Sequence, residues 1–173
     1  MKAKSFFGIF LAMAVVPLVL AYLVLKLGWF TPGATAKGEF VQHDIQLQDL
    51  QTEASSDQRP LWRIIYQANS PCDQLCVEQL YGLNQTHSAL GKLQKRVTAQ
   101  VLTSEQIDLS SYSHLKINNT TNEKLESDYL YIVDPFGKAI MKYKGSLSRD
   151  KTIETSKHIL ADIKKLLKYA RVG

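Results

Sequence analysis

Cys72 and Cys76 stand four residues apart in the stretch Ser70-Pro71-Cys72-Asp73-Gln74-Leu75-Cys76, and the 173-residue chain holds no other cysteine. A pair so spaced can close one disulfide, run thiol–disulfide exchange, or offer two thiolates to a soft metal ion, for which copper(I) is a good match. On a helix, residues four apart share a face with Cβ atoms about 5–6 Å apart, close enough for a disulfide or a shared ion. The plain structural alternatives are a lone structural disulfide or two small buried hydrophobes.

The flanking residues place this pair where a strand feeds a helix. Leu61 to Gln67 (Leu-Trp-Arg-Ile-Ile-Tyr-Gln) is β-branched and aromatic, and Ala68-Asn69-Ser70-Pro71 supplies turn chemistry and a helix start. Ser70 is expected to cap the helix, with Pro71 at its first position and Asp73 completing a capping-box-like pair. Cys72 then falls in the first turn, where unpaired N–H groups and the helix dipole stabilise a thiolate, so it is expected to be more reactive than Cys76. The helix should run over 71–90, because Cys76, Leu80, Leu83, His87 and Leu90 form one stripe and Gly91 follows as a stop.

Further strands are expected over 96–103 and 129–133, separated by a polar connection with room for helix. Asp134-Pro135-Phe136-Gly137 is a type I turn signature leading into a strand over 138–143. A helix over 149–169 closes the chain, capped by Ser148 and burying Ile153, Leu160, Ile163 and Leu167. Upstream, Ile45, Leu47 and Asp49 alternate with Gln46 and Gln48 as a half-buried strand would. Strand, helix, strand, connection, hairpin and helix, with the cysteines at the first helix start, is the thioredoxin-like order. The expected class is α/β, a central β-sheet flanked by helices.

Ahead of that domain, Phe6 to Leu25 is 20 residues without a charge, about 30 Å of helix and so about one bilayer core. Lys2 and Lys4 precede it and no acid comes before Glu39, so the short N-terminus is expected in the cytoplasm and the domain on the far side. Tyr22, Trp29 and Phe30 suit the headgroup layer at the exit, and Pro17 is tolerable as a kink. A cleaved signal peptide, suggested by Ala34-Thr35-Ala36, is the competing reading, but the apolar run exceeds the usual length of such a region. The expected organisation is a cytoplasmic N-terminus over 1–5, a transmembrane helix over 6–28, a linker over 29–38 rich in small residues, and the thioredoxin-like domain over 39–173. Lys2, Lys4 and Lys26 account for 3 of the 21 basic residues, leaving 18 against 16 acids, a balance that predicts no nucleic-acid partner. Sequons at Asn84, Asn118 and Asn119 matter only in a glycosylating pathway.

The anchor, Cys72-x-x-x-Cys76 after a strand, the segment Tyr131-Ile132-Val133-Asp134-Pro135-x-Gly137 and the closing helix together resemble the Sco family, membrane-anchored thioredoxin-like factors of cytochrome c oxidase assembly. Gly28-Trp29-Phe30, Lys37-Gly38-Glu39-Phe40 and Trp62 resemble a divergent Sco-like group of small membrane proteins associated with oxidase biogenesis. The resemblance implies copper delivery or thiol reduction at the oxidase's copper centre, with Cys72, Cys76 and one distal histidine as ligands. It implies a cytochrome c oxidase subunit or another assembly factor as partner, and an assembly factor or metallochaperone rather than a turnover enzyme. It also implies the inner (cytoplasmic) membrane, with the domain in the periplasm or an equivalent space. In the Sco pattern the histidine falls within 124–127, which here reads Lys-Leu-Glu-Ser. Thioredoxin-like oxidoreductases carry a cis-proline at the corresponding place, yet no proline lies between Pro71 and Pro135.

His114, in the connection between the second and third expected strands, is the candidate third copper ligand. His87 lies eleven residues past Cys76, about 16 Å along a helix, and is expected to be a satisfied core histidine. His43, His158 and Met141 are assigned packing or surface roles, and Lys164, Lys165, Lys168 and Arg171 a solvated basic helix end. Two functions of other classes compete with the assembly factor. One is a general membrane-tethered thiol–disulfide oxidoreductase with Cys72 attacking and Cys76 resolving; the other is a non-catalytic interaction module whose disulfide is structural.

Overall fold

The computed structural model describes residues 3–29, 36–42, 45–47 and 61–169 and divides the chain into two compact units, 1–35 and 36–173. Phe30, the linker residues 31–35, His43, Gln48, Asp49 and Arg171 lie outside the described residues.

In the first unit, helix α1 (Ala3–Lys26) carries Pro17 inside it, and its stretch Phe6–Lys26 is long and apolar enough to cross a membrane. Its side chains from Phe6 onward are almost all exposed, as are Tyr22 and Trp29. Apolar side chains on all sides of one helix suit lipid rather than water.

The second unit is built on a sheet of six strands among the described residues: β1 (Glu39–Phe40), β2 (Trp62–Gln67), β3 (Val97–Leu102), β4 (Leu115–Asn118), β5 (Tyr129–Val133) and β6 (Ala139–Lys144). Their order across the sheet is β1-β6-β5-β2-β3-β4. The central β2 pairs in parallel with β3 and antiparallel with β5, so one side of the sheet is parallel and the other a meander. Both faces of β2 are buried over 62–66, which is why that stretch is an apolar run broken only by Arg63, before the half-buried Gln67 ends the strand.

Helices α2 (Gln74–Ser88) and α3 (Arg149–Tyr169) pack on one face of the sheet, against Trp62, Ile64, Tyr66, Ala99, Val101 and Ile132. The opposite face, with Ile65, Leu102, Tyr131 and Val133, is covered by Ile45, Leu47 and Leu125. Alternation along each strand divides the residues between these two cores.

Several expected elements are confirmed and others are corrected. The strand 129–133 and the helix 149–169 match their expected bounds, and β2, β3 and β6 lie within a residue of theirs. At Asp134–Gly137, Gly137 N–H donates to the Asp134 carbonyl at 3.1 Å with Gly137 at φ +92°, a left-handed conformation that favours glycine. Ile45 and Leu47 are buried and Gln46 exposed as alternation predicts, but only an isolated bridge from Gln46 to Lys138 forms. A 3₁₀ turn (Gly91–Arg96) links α2 to β3, and the polar connection between β3 and β5 carries the edge strand β4; the sequence reading lacked both. Four residues at a sheet edge, with Ile117 exposed, leave too short and wet a pattern to read.

The buried face of α3 is rolled from the expected one. Ile163 and Leu167 are buried as predicted, Leu160 only half so, and Ile153 is 37% exposed, while Ile159, Thr152 and Asp162 are buried. Two contacts fix this roll. Asp162 Oδ2 accepts from Lys37 N–H (2.7 Å), Gly38 N–H (3.1 Å) and Tyr143 O–H (2.9 Å), so a carboxylate replaces a hydrophobe on the inner face. Against α2, Thr152 and Ser156 approach Gly82 so closely that a Cβ there would meet Thr152 Cγ2 at 2.7 Å.

Candidate functional site: the strand-to-helix junction

The cysteines sit between the end of β2 and the start of α2. Asp73, not Ser70, is the N-cap: its side-chain Oδ1 accepts the Cys76 N–H at 2.8 Å, and its carbonyl accepts the Val77 N–H at 3.0 Å. The helix therefore begins three residues later than expected, at Gln74, and ends at Ser88. An extended Asp at the cap satisfies a first-turn donor directly, which Ser70 is too far upstream to do. Ser70 instead hydrogen-bonds through Oγ to the Glu105 carboxylate, tying this turn to the loop after β3.

This shift moves Cys72 out of the first turn, to the position just before the cap, while Cys76 occupies the third helical position. The two are joined as a disulfide with a Cα–Cα distance of 5.3 Å. Cys76 is fully buried in the core beneath α2, whereas Cys72 is half-buried at the surface end of the bridge. Attack from outside can reach Cys72 alone. The α2 N-terminus still faces the bridge and favours a thiolate there, but the Asp73 carboxylate beside it opposes that effect.

Tyr66, the penultimate residue of β2, points into the same core as Cys76 and is fully buried, and its hydroxyl has no hydrogen-bond partner among the described residues. Burial, with the nearby charges of Asp73 and Asp128 adding to it, raises its pKa well above the ordinary tyrosine value. Sequence reading missed this residue, since an aromatic in a strand signals packing and nothing local reveals an orphaned hydroxyl.

The segment where a Sco-type histidine would fall does lie beside this junction. Asn122 N–H donates to Gln67 Oε1 (2.8 Å) and Gln67 Nε2 donates to the Leu125 carbonyl (3.1 Å), so the segment is bound to the last residue of β2. What it presents is a buried Leu125 and the exposed Glu126 paired with Lys142 at 3.1 Å; just beyond it the Asp128 carbonyl accepts the Gly145 N–H.

His114 does not join the cysteines. Its ring lies 5.4 Å from that of His87, in the last turn of α2, roughly 16 Å of helix beyond Cys76. Among the described residues no group of three or more His, Cys, Asp and Glu side chains is placed to hold a metal ion. His87 is half-buried, with Nε2 2.9 Å from the Val97 carbonyl, and Met141 is buried in the core.

The remaining surface of the junction is shaped by α2 and α3. Arg149 meets Glu78 two-pronged, Nη2 donating to Oε1 at 2.8 Å with Nε 2.8 Å from Oε2, and its guanidinium stacks over Tyr81 at 3.7 Å. Leu147, two residues before Arg149, is 60% exposed, and Val77, next to Glu78 in α2, is 45% exposed.

A mixed sheet with a cysteine pair where its central strand enters a helix defines a thioredoxin-like dithiol domain. By family model the chain belongs to the transmembrane-like, thioredoxin-like family, matched in its C-terminal domain over residues 62–170. No curated protein matches the chain by sequence. Among solved structures it is similar in fold to copper-bound ScoI of Bradyrhizobium japonicum (16% identity, 75% of this chain and 99% of that chain, TM-score 0.45). It is likewise similar to apo Sco1 of Thermus thermophilus (14% identity, 79% and 99%, TM-score 0.49). A third similar structure is a putative protein disulfide isomerase of Bacteroides thetaiotaomicron (13% identity, 76% and 89%, TM-score 0.45).

Proposed function

We propose that this chain is a membrane-anchored, Sco-like factor of cytochrome c oxidase assembly that works by cycling Cys72 and Cys76 between disulfide and dithiol. The observation that carries the reading is the Cys72–Cys76 bridge itself, half-buried at one sulfur, fully buried at the other, and set where β2 enters α2. The sequence resemblance to the Sco family supplies the assembly context. In this reading residues 6–28 span the inner membrane, 29–38 form the linker, and the domain over 39–173 works on the non-cytoplasmic side.

The reduced pair acts as a two-electron donor. A Cys72 thiolate attacks one sulfur of a disulfide in the partner, forming a mixed disulfide and releasing one partner thiolate. The Cys76 thiolate then displaces the second partner sulfur, so the partner leaves as a dithiol and the chain is left oxidised. An external dithiol reductant resets it by the same two exchanges. A bound copper(I), if carried, is cargo: two thiolates suit it well, and the described residues bring no third ligand to them. That donor set favours the reductant role over tight copper storage.

The test is a redox titration of the full chain in detergent against dithiothreitol, followed by copper(I) titration of the reduced protein under argon, each beside the Cys72→Ser, Cys76→Ser variant. Reversible two-electron behaviour, lost in the variant, supports the reading; a bridge that resists reduction until the domain unfolds overturns it and leaves a structural disulfide. Cells carrying only the double variant should assemble an oxidase deficient in its copper centre. A general tethered oxidoreductase would instead reduce insulin or other model disulfides without preference.

A further inference from the structure

Basic residues of the second unit gather at the end of its helix pair away from the disulfide. Helices α2 and α3 run side by side in the same direction: Arg149 meets Glu78, Gly82 lies against Thr152 and Ser156, and Ala89 and Leu160 line one cleft further along. Their C-terminal ends therefore lie together, about 22 Å of helix from the Cys72–Cys76 bridge at the start of α2.

In α3, Lys157, Lys164 and Lys168 fall within about 40° of one another around the helix axis, with Lys165 beside them, and all four are exposed. Lys165 pairs with Asp162 at 3.9 Å, whereas Lys157, Lys164 and Lys168 have no acidic partner among the described residues. From 156 to 169 the one acid is Asp162, and it is buried. The 3₁₀ turn after α2 adds exposed Lys92 and Lys95, and no acid occurs over 86–96. The helix dipole favours Lys168 in the last turn of α3 but does not account for Lys157, three turns earlier.

The chain enters this unit against the same helix. Lys37 and Gly38 donate their N–H groups to Asp162 Oδ2 at 2.7 and 3.1 Å, and a Cβ at Gly38 would meet the Tyr143 ring at 2.4 Å, so only glycine fits there. Residues 27–35, which join α1 to this unit, cover at most about 30 Å when fully extended. With α1 as the membrane anchor, a lipid surface stays within reach of these lysines at all times, at high effective concentration. We infer that the C-terminal half of α3 and the turn after α2 form a docking surface for anionic lipid headgroups of the membrane that holds the anchor. Docking turns the disulfide end of α2 away from the bilayer, where a partner can reach Cys72. The inference rests on the anchor reading of α1 and not on the thiol chemistry.

The test reconstitutes the full chain in lipid nanodiscs of phosphatidylcholine, alone or mixed with phosphatidylglycerol, and follows acylation of each lysine by an amine-reactive ester with mass spectrometry. One lysine at an anionic surface shifts a docking equilibrium about fivefold, so Lys92, Lys164, Lys165 and Lys168 should acylate at least about fivefold more slowly in the anionic discs. High salt should remove the difference. Lys144 and Lys151, exposed at the disulfide end, should react alike in both lipids. In a variant carrying Lys157→Gln, Lys164→Gln and Lys168→Gln, all at exposed positions, the protection of Lys165 should disappear. Equal rates in the two lipids, protection shared by Lys144 and Lys151, or protection of Lys165 that survives in the variant would overturn the docking surface. A chain that fails to enter phosphatidylcholine discs would overturn the anchor and this inference with it. The redox titration described above reads the cysteines separately from all of these outcomes.

Discussion

The two ends of α2 hold the chain's two chemically notable pairs, and they are assembled in opposite ways. At the N-terminal end Cys72 and Cys76 are four residues apart, bridged over 5.3 Å, and arranged by a local cap from Asp73. At the C-terminal end His87 and His114 are 27 residues apart in sequence and meet only because β4 pairs with β3 at the sheet edge. A local pair survives many changes elsewhere in the fold. A non-local pair depends on the register of two strands and on one hydrogen bond, from the His114 N–H to Asn84 Oδ1. The difference predicts that perturbations at one end should leave the other readable.

The largest expected effect comes from opening the bridge. Reduction, or Cys72→Ser with Cys76→Ser, should lower stability by about 2 kcal/mol, small for a disulfide because the closed loop is so short. Chemical denaturation with and without dithiothreitol measures it, and the His87 and His114 resonances should not move. If they do, the two ends are coupled through α2.

Gly82→Ala addresses that coupling from the middle of the helix. The added Cβ would meet Thr152 Cγ2 at 2.7 Å and Ser156 Oγ at 3.1 Å, so α2 and α3 must separate. Overpacking partly offset by the better helix propensity of alanine leaves a net loss of about 1–2 kcal/mol. Unlike reduction, this substitution should shift resonances at both ends.

Asp73→Ala should cost about 1 kcal/mol through loss of the cap, whereas Asp73→Asn keeps the cap at little cost. Both remove a negative charge beside Cys72, so both should speed its alkylation at fixed neutral pH in the reduced protein. Cys76, fully buried, should alkylate slowly in every variant.

Tyr66→Phe removes a buried hydroxyl that has no partner among the described residues, so stability should stay level or rise by up to about 1 kcal/mol in thermal melts. A clear loss would mean that the hydroxyl is satisfied in solution.

The smallest effect belongs to the histidine end. Because the folded pKa of His87 lies below its unfolded value, the unfolded chain binds more protons as pH falls below about 6.5, and stability should fall with it. Thermal melts between pH 7.5 and 5 should show this slope, reduced in His87→Gln.

Much of the architecture was legible because its signals are local. Twenty uncharged residues from Phe6, the β-branched run ending at Gln67, the Asp-Pro-Phe-Gly turn and the 3.6-residue periodicity of the last helix each report their own element. The thioredoxin-like order and the placement of the cysteines between strand and helix follow from those elements in sequence. The misreadings have a common physical cause, namely competition between partners that sequence cannot rank. Asp73 rather than Ser70 became the cap because its carboxylate reaches the Cys76 N–H, and that moved Cys72 outside the helix. The inner face of α3 turned toward Asp162 because two backbone N–H groups and the Tyr143 hydroxyl, from distant parts of the chain, needed an acceptor.

The sequence by itself determined which groups could react: two cysteines close enough to bond, and an apolar segment long enough to span a bilayer. Only the tertiary structure decided which groups meet. It buried one sulfur and left the other reachable, and it placed His114 beside His87 through β3–β4 pairing rather than beside the cysteines. Contacts within a turn or two of chain are set by backbone geometry, whereas contacts across the sheet are set by strand register and core packing, which no short stretch of sequence encodes.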